Sequence, residues 1–271
     1  MKKIFLLSAC VFFIIACSTK QPVPDADIPL AEHPRPDFER MPWLNLNGYW
    51  QFAPDSLDAG LNEKWQDKPE SFASRILVPF SWASPMSGIE LPKVNVGWYS
   101  RTFRTGNSTD WKGKKVYLIF GASDFHTSVW MNGEFVGEHR GGYLPFEFDI
   151  SPFARKGDNR LVVRVEDEEL DSRPSGKQYY GNAKGIWQTV YLEARKDIHI
   201  SSIRFTPDID KAEVKADVSL SSPAPEGTVF RLSGKGNGLT FESVINSGDS
   251  TARFTIPVSE MRLWNLDDPY L

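Results

Sequence analysis

Several residues of this chain could recognise a polar ligand, and they lie in two segments with loop composition. Residues 173–180 carry side chains that donate hydrogen bonds to hydroxyls or to a carboxylate, and a second polar segment spans residues 84–95. Long polar loops with aromatic residues are often functional. They can also serve to dock one domain on another, and the sequence leaves both roles open. The candidates are Asn95, Arg173, Lys177, Gln178 and Tyr180.

Other groups with catalytic side chains have surroundings that favour a structural role. Residues 167–169 (Asp-Glu-Glu) form a carboxylate cluster, but three adjacent charges after a strand are typical of a solvated loop. The pair Asn62 and Glu63 is interpreted as part of a surface loop. His126 and His139 lack a neighbouring nucleophile and any metal-ligand spacing. We therefore expect no catalytic residue, no metal and no cofactor in this chain.

The N-terminus has the features of a secretion signal. Lys2 and Lys3 precede an apolar run over residues 4–16 that is shorter than a typical transmembrane helix. Residues 14–17 (Ile-Ile-Ala-Cys) resemble a bacterial lipobox, which predicts cleavage before Cys17 and attachment of lipid to it. The alternative is an ordinary signal peptide with an incidental cysteine. The lipobox predicts residues 1–17 as signal peptide and a lipoprotein anchored to the membrane, in the periplasm or at the cell surface.

Composition after the signal indicates an anchored acidic globular protein. Residues 18–40 contain five prolines, which resist helix and predict an extended tether. Removal of Lys2 and Lys3 takes the net charge from −4 to −6. An acidic chain without a basic run does not suit nucleic acid, so we expect no nucleic-acid partner. The mature chain would keep one cysteine and could form no internal disulfide.

From about Met41 the pattern is that of short strands. Residues 115–120 and 159–165 are rich in β-branched and aromatic residues, and Trp187–Leu192 reads as a further strand. Asn132-Gly133, between two apolar segments, is a strong hairpin signal because both central positions need positive φ. Nine Trp and 18 Phe are many for this length, and they either fill a core or stack on sugars. Short strands with Gly and Pro between them favour a β-sandwich or jelly roll.

A second series of strands follows near Asp197. Residues 212–220 alternate cleanly, and further strands are predicted at 199–205, 228–232 and 253–256. Gly234, Gly236 and Gly238 are interpreted as turn residues. These four or five strands are fewer than the about seven of an immunoglobulin-like sandwich. We therefore expect an incomplete second sandwich.

Several motifs together resemble glycoside hydrolase family 2, which includes β-galactosidases, β-glucuronidases and β-mannosidases. The resemblance covers about residues 41–271. It implies an all-β fold, with a galactose-binding-like jelly roll over 41–195 and a truncated immunoglobulin-like domain over 196–271. The motifs are residues 46–52 (LNGYWQF), 78–82 (VPFSW), 97–103 (GWYSRTF), 121–137, 141–150, 174–178, 185–193 (GIWQTVYLE), 203–210 and 263–271.

In that family, two glutamates on a following (β/α)8 barrel cleave β-glycosides with retention of configuration. Their motifs have no match in this sequence. The resemblance thus implies the N-terminal, non-catalytic part of a family 2 glycosidase, with a β-linked glycan as substrate and the catalytic barrel missing from this chain. It also implies that jelly-roll loops can reach the barrel mouth. The alternative is a stand-alone, lipid-anchored carbohydrate-binding module without enzymatic activity.

Overall fold

The computed structural model describes residues 28–104, 111–167, 183–236 and 239–269. The first unit is built from two antiparallel sheets. The six-stranded sheet has the order β3-β2-β4-β10-β7-β8 and the four-stranded sheet the order β1-β12-β5-β9, while β6 pairs with β11. The strands are β1 (Trp43–Asn45), β2 (Gly48–Pro54), β3 (Ser74–Val78), β4 (Val96–Arg104), β5 (Lys115–Phe120), β6 (Ser123–Asp124), β7 (His126–Met131), β8 (Glu134–Arg140), β9 (Phe146–Asp149), β10 (Asp158–Glu166), β11 (Gly185–Ile186) and β12 (Val190–Arg195).

Helical structure among the described residues is confined to three short 3-10 turns, Trp65–Asp67, Pro69–Ser71 and Pro85–Ser87. No helix in this part of the chain is long and apolar enough to cross a membrane.

The core of the first unit lies between the two sheets and is rich in aromatic rings. Along β2 the side chains alternate, so that Trp50 and Phe52 are buried while Tyr49 is exposed. The rings of Phe52 and Tyr99 meet edge to face at 4.9 Å, and Trp82 is fully buried beside them. For these rings the core-packing interpretation holds, because such contacts and the area they remove from water stabilise the sandwich.

The Asn132-Gly133 hairpin is confirmed. It joins β7 to β8, and its two central residues have φ values of 55° and 89°. The Asn132 amide donates to the Phe153 carbonyl at 2.8 Å and accepts from the Arg160 amide at 3.0 Å. The turn is therefore tied to β10 as well as to its own strands. By contrast, Trp187 lies between β11 and β12 rather than in a strand, and its indole donates to the Gly142 carbonyl.

The second unit has five strands among the described residues. They are β13 (Ile200–Asp208), β14 (Glu213–Leu220), β15 (Phe230–Gly236), β16 (Leu239–Ile245) and β17 (Thr251–Pro257). One sheet has the order β13-β14-β17, and β15 pairs with β16. A small core that includes Leu220, Ala224 and Ile245 joins the two. The prediction of an all-β chain of successive sandwiches is confirmed.

Two details of this unit differ from the sequence predictions. The strand β16 was not predicted, and Gly234 and Gly236 lie inside β15 rather than in a turn. Their backbones pair with β16 in regular register. The pairing therefore stabilises a strand conformation that the glycines do not favour by themselves.

Residues 28–40 differ from the expected free tether. His33 is buried against the rings of Trp43 and Tyr191, at centroid distances of 4.7 and 5.5 Å. Asn47, itself fully buried, donates to the Pro29 carbonyl at 3.0 Å. This segment, here called the strap, packs on the first sandwich because its carbonyls and its histidine ring find partners there. The rest of the proposed tether, residues 18–27, and the signal segment with Cys17 lie outside the described residues.

Candidate functional site

Asn95 immediately precedes β4, at the end of the loop over residues 84–95. The loop is held to the core by Trp82, whose indole donates to the Val94 carbonyl at 3.0 Å and whose carbonyl accepts from the Leu91 amide at 2.7 Å. Near the start of the loop, the Ser84 hydroxyl accepts from the Met86 amide and caps the turn Pro85–Ser87. These contacts fix the position from which Asn95 extends.

The side chain of Asn95 accepts a hydrogen bond from a buried lysine. Lys184 is fully buried, and its Nζ donates to Asn95 Oδ1 at 2.9 Å and, at 3.4 Å, to the Val94 carbonyl. A buried ammonium is costly unless it is hydrogen-bonded, so Lys184 fixes the orientation of the Asn95 amide. The Asn95 NH2 group is then left to donate elsewhere.

Both flanks of the segment that contains residues 173–180 meet at Asn95. The Asp167 amide donates to the Asn95 carbonyl at 2.8 Å and extends the pairing of β10 with β4. Lys184 approaches from the other flank. The predicted residues Arg173, Lys177, Gln178 and Tyr180 lie outside the described residues, but the two ends of their segment lie beside Asn95. The structure thus brings the described residues on either side of this segment, Asp167 and Lys184, to the end of the sandwich where Asn95 lies.

Asp167, the first residue of the carboxylate cluster, departs from its predicted environment. Asp167 is only 1% exposed, whereas a solvated loop was expected. Its backbone continues the β4–β10 ladder through the hydrogen bond from the Asp167 amide to the Asn95 carbonyl. Glu168 and Glu169 lie outside the described residues. The surface interpretation of Asn62 and Glu63 is confirmed, since both are exposed.

The two histidines occupy structural positions. His126 Nε2 lies 3.1 Å from Glu138 Oε2 on the neighbouring strand. His139 stacks on Phe146 at 4.0 Å, and its burial lowers the pKa of the imidazole. Within the described ranges, no three His, Cys, Asp or Glu side chains are grouped so that they could hold a metal ion.

Lys184 and Gly185 were not singled out from the sequence as site residues. Gly185 has φ of 79°, and a Cβ there would lie 2.1 Å from the Tyr99 hydroxyl and 2.4 Å from the Trp82 ring. Tyr99 accepts from the Ile186 amide at 3.3 Å, and burial raises the pKa of its phenol. The sequence feature that could have indicated these two residues is a single lysine directly before a Gly-Ile-Trp motif.

The arrangement at Asn95 presents hydrogen-bonding groups that can orient a ligand. Residues 44–195 match the family model described as glycosyl hydrolases family 2, sugar binding domain. The chain belongs to glycoside hydrolase family 2. The match includes Asn95, Lys184 and the motifs of the resemblance from residue 46 to residue 193, whereas the motifs at 203–210 and 263–271 lie outside it. The prediction that this sequence holds the sugar-binding portion of a family 2 protein is confirmed.

Family 2 relatives are similar across both sandwiches. A β-galactosidase of Thermoanaerobacter pseudethanolicus is 33% identical over 251 residues, which are 84% of this chain and 32% of the relative. A β-glucuronidase of Paenibacillus borealis is 28% identical over 250 residues, which are 84% of this chain and 41% of the relative. The chain therefore spans about two fifths or less of the length of these relatives.

Solved structures show the same similarity. A β-glucuronidase from an uncultured Clostridium sp. superposes with a TM-score of 0.61 at 27% identity, covering 84% of this chain and 41% of its own. The Bifidobacterium dentium β-glucuronidase in complex with coumarin-3-O-glucuronide gives 0.62 at 22% identity, covering 83% and 43%, and so supports the fold alone.

Proposed function

We propose that this chain is the glycan-recognition part of a retaining β-glycosidase of family 2, whose catalytic barrel lies outside this sequence. The observation that carries the proposal is the convergence of the 84–95 loop and both flanks of residues 168–182 at Asn95, within a matched sugar-binding domain. A fixed amide at the end of a sandwich suits hydrogen bonds to sugar hydroxyls. The barrel would supply the two glutamates that cleave the bond.

In this proposal Asn95 contacts the sugar, and Lys184 holds the Asn95 side chain in place. Arg173, Lys177, Gln178 and Tyr180 either contact the same glycan or dock the barrel. The names of the relatives point to a β-galactoside or a β-glucuronide as substrate.

The first test is to sequence the gene beyond the codon for Leu271. The proposal expects a reading frame that continues, directly or after one shift, into a barrel with two catalytic glutamates. The 271-residue chain by itself should hydrolyse no aryl β-glycoside. A firm stop codon, with accumulation of a chain of this length, would instead support a stand-alone carbohydrate-binding module.

In the complete enzyme, Asn95→Ala should lower kcat/KM for aryl β-galactosides or β-glucuronides by about tenfold to a hundredfold, as expected for loss of one or two hydrogen bonds to the substrate. Asn62→Ala, on the exposed loop, is the matched control and should leave kcat/KM unchanged. Equal activity of both variants would exclude Asn95 from the site.

We also propose that the chain is a lipoprotein anchored through Cys17, in the periplasm or at the cell surface. The support is the order of Lys2 and Lys3, an apolar run, and Ala16 before Cys17. In a bacterial host grown with a palmitate analogue, Cys17→Ala should remove the label and release the protein from the membrane fraction. Cys10→Ala is the control and should behave as wild type. Label on Cys17→Ala would contradict lipidation at this residue.

A further inference from the structure

A cleft of about 710 Å³ lies on the outward face of the four-stranded sheet, away from Asn95. Its floor is formed by β5, β9 and β12. Strap residues 34–40 form one wall, and His199, Ser201 and Ser221 of the second unit contribute another. Its size is within the range of about 300–1,000 Å³ that small-molecule sites occupy.

The outward side chains of β12 in this cleft are unusual for a sheet face. Tyr191, Glu193 and Arg195 alternate with the core residues of the strand, and they are only 6%, 1% and 9% exposed. A face made only to pack against neighbours would be apolar, because buried ion pairs add little stability over apolar residues of similar size. The charged residues therefore require another explanation.

The charged residues form one connected array beside an aromatic ring. The guanidinium of Arg195 makes a two-pronged pair with Glu147, at 2.6 and 2.7 Å, and its Nε donates to Glu193 at 2.6 Å. The same guanidinium lies over the Tyr117 ring, 4.4 Å from its centroid. Arg40 donates to Glu193 from the strap at 3.1 Å. These charge-assisted hydrogen bonds connect the array, and the half-exposed Glu147 keeps acceptor capacity towards the cleft.

The charge pairing selects among sugars. Each arginine that lines the cleft is already paired with a carboxylate, namely Arg35 with Asp37, Arg40 with Glu193, and Arg195 with both Glu147 and Glu193. These pairs leave none of the three guanidinium groups free to bind the carboxylate of an anionic sugar. Hydroxyl groups, in contrast, can donate to carboxylate oxygens while the apolar face of the sugar ring covers an aromatic side chain.

Tyr143 provides such a ring at the mouth of the cleft. It is 77% exposed, and its ring meets Trp187 edge to face at 6.0 Å. We propose that this cleft is a second glycan-binding site, which binds a neutral oligosaccharide between Tyr143 and the Glu147–Arg195 pair. The site uses none of the residues at the Asn95 end, so the test of this site is independent of the proposed hydrolase function.

The test measures binding of β-1,4-galactotetraose and cellotetraose to the 271-residue chain by titration calorimetry, with a hyaluronan tetrasaccharide as the anionic comparison. Saturable binding of at least one neutral sugar is expected. Tyr143→Ala should weaken it by about threefold to tenfold, the effect of one aromatic contact. Glu147→Gln should weaken it by a similar factor. Tyr49→Ala is the matched control, because Tyr49 is a 45% exposed tyrosine on the other sheet.

The proposal is overturned if neither neutral sugar binds, or if the hyaluronan fragment binds more tightly than both. It is also overturned if Tyr143→Ala and Glu147→Gln bind as wild type does. Thermal melting distinguishes a loss of binding affinity from a loss of stability. A lower Tm with unchanged affinity in Glu147→Gln would assign the ion pair to stability alone.

Discussion

At the scale of single residues, the most informative contact is that of Lys184 with Asn95. An ammonium with no exposed surface depends on its two oxygen acceptors, Asn95 Oδ1 and the Val94 carbonyl. Removing one acceptor leaves a buried charge poorly compensated, whereas removing the charge together with its acceptor does not.

A double-mutant cycle tests this contact. Asn95→Leu should lower the free energy of unfolding by about 1–3 kcal/mol, because the Lys184 ammonium loses an acceptor. Adding Lys184→Met should recover most of that loss, since the apolar side chain has a similar length. Urea unfolding of the wild type, both single variants and the double variant gives the coupling. Additive losses would show that the two side chains do not act together.

His139 should make stability depend on pH. Its burial lowers the pKa below the ordinary value of 6.5, so the unfolded chain takes up a proton before the folded one does. Stability is therefore complete above pH 6.5 and falls as the pH drops from there towards the lowered pKa. His139→Phe keeps a ring beside Phe146 and should flatten the urea midpoint between pH 8 and pH 5. An unchanged slope would assign the pH dependence to other groups.

At the scale of elements, the short strand β11 attaches the backbone that follows residues 168–182 to the first sandwich. Gly185 has positive φ and lies against both Tyr99 and Trp82, while its strand pairs with β6. This position combines a backbone conformation that favours glycine with the absence of space for a methyl group.

Gly185→Ala should therefore destabilise the protein by about 3 kcal/mol or more, the sum of a left-handed backbone and an overpacked core. Gly113→Ala is the matched control, because Gly113 has φ of 71° but open space where a Cβ would lie. The control should cost only about 1–2 kcal/mol. Chemical denaturation of the two variants compares them directly, and equal losses would show that the contacts with Tyr99 and Trp82 are easily relieved.

At the scale of the whole molecule, the strap (residues 28–40) is part of the folded structure. His33, Pro29 and Arg40 contact the first sandwich, and Arg40 also donates to the Ile200 carbonyl in the second unit. The strap also lines the proposed glycan cleft. Residues 28–40 are thus more than a spacer.

Deletion of residues 1–40 should lower the free energy of unfolding by about 2 kcal/mol or more relative to deletion of residues 1–27. The longer deletion exposes Tyr191 and leaves the Asn47 amide and Glu193 without strap partners. The shorter deletion is the control because it keeps the whole strap. Thermal and urea unfolding measure the difference, and coincident transitions would show that the strap adds no stability.

The sequence by itself determined the features that depend on neighbouring residues. The strand Lys115–Phe120, the Asn132-Gly133 turn and the alternation in β2 and β14 follow from local backbone preferences and from the period of two. The ordered set of motifs was enough to predict the family. The tertiary structure decided the burial of Asp167 and Lys184, the packing of the strap, and the pairing of β16 with the glycine-containing β15. These features depend on contacts between residues that are distant in the sequence, such as Lys184 and Asn95, which are 89 positions apart. Local backbone preference carries no information about which distant residue a side chain will contact.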